Sequence, residues 1–145
     1  MSYFMDWSQC KKDFIKEVEI DPAKIESLVK TANARITFLK NSTPSFEQIS
    51  FLVEGYYEAI KELLTALLLS KGLRSKNHQC LITYFYKNYP AYEGEAYLIV
   101  EMNYLRNRLN YYGEQISPAF YDKNKDQFDK IAILIKRLIH NEKIE

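Results

Sequence analysis

"PSFEQISFLVEGYYEAIKELLTALLLSKG", residues 44–72, decides the fold class. Ile49, Leu52, Val53, Tyr56, Ile60, Leu63, Leu64 and Leu67 recur at spacings of three and four. That spacing keeps them on one face of an α-helix. Thr43 is a candidate cap before Pro44, and Gly72 is the stop. A helix from Pro44 to Lys71 would run about 40 Å at ~1.5 Å per residue, which sets the height of whatever packs around it. Gly55 costs such a helix about 1 kcal/mol relative to alanine, so it is expected where a neighbouring helix comes close.

Moving outward, the chain offers partners for that face. Upstream, Asp21-Pro22 reads as a cap followed by proline at the first helical position. Ile25, Leu28, Val29, Ala32, Ile36 and Leu39 then form a second apolar stripe. Before it, Trp7, Cys10, Phe14 and Val18 predict a short amphipathic helix. Downstream, "LRSKN" reads as a polar connection with Asn77 capping a short aromatic helix, "HQCLITYFYKNY". Pro90 and Gly94 are expected to bracket a loop. Leu98, Met102, Leu105 and Leu109 make another stripe, closed by Gly113. Ser117-Pro118 restarts the chain, and Phe128, Ile131, Ala132, Ile135 and Leu138 complete the last face. No segment alternates with period two for long, so strands are not expected. The prediction is an all-α, up-and-down four-helix bundle with additional short helices, forming one domain over residues 1–145 with a variable N-terminal helix at 1–20.

Composition narrows the function classes. The chain is 47% apolar and 27% charged, which is globular and not disordered. Twenty Lys and Arg oppose nineteen Asp and Glu, so any nucleic-acid binding must come from a local patch such as Lys71, Arg74 and Lys76. Cys10 and Cys80 lie far apart, and each is read as a buried thiol in a reduced, cytoplasmic protein. The opening "MSYFMDWSQCKKDF" has no long apolar run, so no signal peptide is expected. "LLTALLL" is far short of the ~20 residues that cross a bilayer, so no membrane partner is expected.

Several chemistries drop out. There is no phosphate-binding glycine loop and no H-E-x-x-H, and the two histidines, His78 and His140, sit on different segments. No metal or cofactor is expected. Glu54, Glu58 and Glu62 recur every turn and read as a solvated face, and His78 as a helix-start residue bonding locally.

"YLRNRLNYYG", residues 104–113, is harder to assign to packing. At ~100° per residue, Asn103, Arg106 and Asn110 fall within about 60° of one another, beside the Met102, Leu105, Leu109 stripe. Arg108 points elsewhere, onto solvated surface. Two accounts of Arg106 stand at this point. One is a half-buried arginine paired with a carboxylate from another helix. The other is an anion-binding arginine whose forked donors suit phosphate.

The stretches "YYEAIKELLTALLLSKG", "NHQCLITYF" and "LRNRLNYYG", in this order and spacing from about Asp21 onward, resemble the HEPN superfamily. The resemblance implies a four-helix up-and-down bundle that dimerises. Many members are metal-independent RNases, and others bind nucleotides or partner small nucleotidyltransferases in toxin–antitoxin pairs. Their signature is an arginine, a polar neighbour, and a histidine after four to six intervening residues. Arg106 and Asn107 match its first two positions, but Tyr111, Tyr112 and Gly113 stand where the histidine would. A tyrosine ionises near pH 10 and is a poor general base, so weak or absent RNA cleavage is expected. The resemblance thus implies Arg106 and Asn107 as site residues, with Arg106 and Tyr111, which stands in the histidine's place, as the candidate catalytic pair. The polar seam adds Asn103 and Asn110 to Arg106 and Asn107 as candidate binders of RNA or nucleotide. Tyr111 lies about 140° around the helix from Arg106, so their meeting is expected to need an unwound helix end or a second subunit. A catalytically silent dimerisation or protein-interaction module is the alternative.

Overall fold

The structure, a computed structural model, describes residues 4–140; residues 1–3 and 141–145 of the expected single domain lie outside the described residues. It is mostly helical, with α1 (Trp7–Gln9), β1 (Ile15–Glu17), α2 (Pro22–Lys40), α3 (Ile49–Ser70), β2 (Leu73–Ser75), α4 (His78–Asn88), α5 (Glu93–Tyr112) and α6 (Pro118–Ile139). Caps read from the sequence recur at three starts. The side chains of Asp21, Asn77 and Ser117 accept backbone N–H groups from Lys24, Gln79 and Ala119.

α3 is the centre, packed by α2, α4, α5 and α6. Its burial exceeds one stripe, because Tyr57, Ala59, Ala66 and Leu68 are buried as well. A helix apolar all round is one with neighbours all round. α2 runs antiparallel to α3, with Arg35 meeting Glu62 and Leu39 lying against Gly55. A Cβ on Gly55 would stand 2.7 Å from Leu39 Cδ2, so the glycine does admit a close helix approach. α5 is also antiparallel to α3, since Arg106 reaches Glu58 while Gln115, just beyond α5, reaches Ser50. Buried Ser50 is fully used. Its hydroxyl donates to Gln115 Oε1 at 3.0 Å and accepts from Ile116 N at 2.7 Å, tying the α5–α6 connection to α3.

Several expectations are corrected. Residues 10 and 80 are not free thiols: Cys10 and Cys80 form a disulfide, with both residues fully buried. The inference from free thiols to a reducing compartment falls with it. What the structure shows about membranes is narrower: no described helix is long and apolar enough to cross one. The N-terminal helix does not continue to Val18. It becomes a π-helical turn, Cys10–Phe14, and then β1. "LRSKN" is not a plain connection, because Leu73–Ser75 pairs antiparallel with Ile15–Glu17. Each strand is three residues, too short to display the period-two alternation that would reveal it. Gly72 at φ 74 allows the sharp exit from α3 into β2. Ser45, not Thr43, opens the third helical segment through a capping box with Gln48, and a 3-10 turn, Phe46–Gln48, leads into α3. Finally, Pro90–Tyr92 is a 3-10 turn and Gly94 lies within α5, so no open loop separates them.

Candidate functional site

The ribbon, the start of α4 and the later turns of α5 converge on the face of interest. Ser75 stabilises the turn into α4, its hydroxyl accepting Asn77 N–H at 3.1 Å. This places Lys76 and His78 opposite the C-terminal half of α5. There a cleft of about 320 Å³ is lined by Lys76, His78, Asn103, Arg106, Asn107 and Tyr111, with Asn77 and Gln79. Four of the expected site residues therefore share one cleft. Asn110 does not join them; it is exposed and outside the lining. Tyr111 joins Arg106 without any unwinding, since α5 stays helical to Tyr112. Both side chains are long, and helical side chains lean back over the preceding turn, so a 140° separation still lets them flank one opening.

Arg106 is paired, as the first of its two accounts held. Nη2 donates to Glu58 Oε1 at 3.0 Å and Nη1 to Asn107 Oδ1 at 3.1 Å, and the guanidinium lies 5.5 Å from the Tyr57 ring centre. Nε is buried without a hydrogen-bond partner among the described residues. A guanidinium carries five N–H donors, so these two contacts hold the group in place without exhausting it. The Glu54, Glu58, Glu62 row is correspondingly not a solvated face. All three are half-buried; Glu58 binds Arg106 and Lys61, and Glu62 binds Arg35. Burial works to raise the Glu58 carboxyl pKa. The hydrogen bond from Lys61 and the charges of Lys61 and Arg106 outweigh it and hold the group below its ordinary value. Burial pushes the Tyr57 phenol up to about 12 against the opposing charge of Arg106.

No histidine follows Arg106 at the motif's spacing, but the fold supplies His78 from α4. Partial burial of its ring, then the positive charges of Lys61 and Arg106, lower its pKa below the usual 6.5. The neutral imidazole is therefore the form present near pH 7. No spacing linked His78 to Arg106; the available signal was Asn77, whose capping put His78 at the mouth of a helix.

Beside the cleft, β1 and β2 set Lys16 directly across from Arg74. Lys76 follows, its pKa lowered chiefly by the nearby ammonium of Lys16 and also by the charge of Arg74. A nearly neutral chain thus concentrates cations at one edge. Arg108 is half-exposed and not simply solvated, being held by both oxygens of Glu114 and lying 4.9 Å from the Tyr112 ring centre. Among the described residues no group of three or more His, Cys, Asp or Glu is arranged to hold a metal ion. The chain matches no family model, and comparison with curated proteins and with solved structures also finds no match.

Proposed function

We propose that this is a HEPN-type protein that binds RNA or nucleotide phosphates in the Arg106 cleft, with weak or absent RNase activity. It would act as a homodimer of the toxin–antitoxin or nucleotidyltransferase-partner kind. The observation that carries the reading is the meeting of Lys76, His78, Arg106, Asn107 and Tyr111 on a single cleft. The alternating directions of α2, α3 and α5 accord with it. Phosphate suits a cationic cleft bordered by Lys16 and Arg74. Neutral His78 can accept the proton of a ribose 2′-hydroxyl as that oxygen attacks the adjacent phosphorus, with Arg106 stabilising the developing charge. Protonating the departing 5′-oxygen falls to a phenol or an ammonium, not to a second imidazole, so turnover is expected to be weak.

The test is an RNA binding and cleavage assay in chelator, comparing wild type with Arg106→Ala and His78→Ala. Binding should fall at least tenfold in Arg106→Ala, and residual cleavage should vanish in His78→Ala. Tyr111→His should raise cleavage. Cleavage that survives Arg106→Ala removes this reading. Light scattering should give twice the 17.2 kDa chain mass, and a monomer at all micromolar concentrations overturns the dimer. One observation favours the second reading, a silent interaction module: the Arg106–Glu58 pair is what a purely structural arginine would also form. Unchanged RNA affinity in Arg106→Ala would select it.

A further inference from the structure

The cationic cleft has a neighbour. Between α4, α5 and the N-terminal segment lies a second compartment of about 740 Å³, lined mainly by Phe4, Ile82, Tyr97, Val100 and Tyr104. Gln79, Asn103 and Asn107 line both compartments, so the two are continuous along α5. The outer wall is fixed in place. Phe4 stacks on Tyr86 at 3.9 Å and meets Tyr97 edge-on at 5.0 Å. Thr83 donates a hydrogen bond to the Met5 carbonyl at 2.9 Å, and the Cys10–Cys80 disulfide anchors the segment that follows.

We infer that the two compartments together take one nucleotide unit, its base against Tyr97 and Tyr104 and its phosphate among Lys76, His78 and Arg106. This rests on the phosphate-binding reading above and adds the base. The polarity sets the direction. Glu101 lines the aromatic compartment and repels phosphate there, while its carboxylate can accept from an exocyclic amine. The shared amides of Gln79, Asn103 and Asn107 stand between, each offering a donor and an acceptor to a base edge or ribose hydroxyl. Tyr97, Tyr104 and Tyr111 recur every seven residues of α5, which keeps three rings along the same wall of the groove. Aromatic faces beside a cationic track are the common means of holding unpaired bases. Each compartment by itself lies within the range of small-molecule sites.

A free nucleotide and a nucleotide within an RNA strand share this chemistry, so the experiment includes both. The full chain, with its disulfide intact, is titrated calorimetrically with ribose 5-phosphate, adenosine 5′-monophosphate and a five-residue oligoadenylate. Adenosine 5′-monophosphate should bind at least tenfold tighter than ribose 5-phosphate. Tyr104→Ala, at a position 52% exposed and so tolerant of truncation, should remove about tenfold of that preference and leave ribose 5-phosphate unchanged. A further gain for the oligomer identifies an RNA strand as the source, and equal affinity a free nucleotide; both support the base compartment. Equal binding of the ligands with and without a base overturns this inference alone. Absence of binding by all three ligands overturns it together with the phosphate reading.

Discussion

Arg106 is the residue at which packing and chemistry compete, and its truncation separates them. Glu58 keeps Lys61 at 2.8 Å when Arg106 is removed, so its carboxylate is not stranded. Each side chain of the Arg106–Glu58 pair also retains 24% exposure. Arg106→Ala should therefore cost about 1–2 kcal/mol in a denaturant melt, less than the ~3–5 of a stranded buried charge. A larger loss would make Arg106 chiefly a structural strut. His78 gives a second prediction. Its pKa is lowered in the folded state, so below the ordinary 6.5 the unfolded chain binds more protons and folding loses stability. The His78 contribution is complete above that value and is lost as pH falls from it toward the lower folded value. Wild type should thus lose more stability than His78→Gln between pH 7 and 5. Identical pH profiles would show that the cleft does not perturb this ring.

Among the elements, α2 packs closely on α3, and Gly55 is the gauge of that contact. Gly55→Ala improves helix propensity by about 1 kcal/mol but drives a methyl into Leu39, whose side chain must move. We expect a net loss of about 1 kcal/mol in the parent. In a Leu39→Ala background the same change should stabilise. A double-mutant cycle in thermal or urea unfolding reads the sign reversal, and no reversal would place the obstruction elsewhere. Leu67 is fully buried in the last turn of the same helix, so Leu67→Ala should cost about 2–5 kcal/mol. The helices and their partnering faces were largely legible, because apolar spacing and caps are local. The β1–β2 ribbon was not. Three residues per strand carry no readable period, and their pairing joins positions nearly sixty residues apart.

Across the whole molecule, the disulfide closes a separation of 70 residues and ties the N-terminal segment to α4. In a chain-entropy account such a link contributes about 4 kcal/mol by restricting the unfolded chain. Reduction, or Cys10→Ser with Cys80→Ser, should lower the denaturant midpoint accordingly. An unchanged midpoint would mean that packing alone holds that segment. The sequence by itself determined the helical class, a long helix within residues 44–71, three of the caps and the polar character of Arg106 and its neighbours. These follow from interactions within a few residues along the chain, and periodicity records them. Only the tertiary structure decided that Cys10 meets Cys80, that Glu58 holds Arg106 and that His78 enters its cleft. The same holds for the cationic ribbon that borders the cleft. Each of these joins side chains dozens of residues apart, and the helix packing that brings them together leaves no local pattern to read.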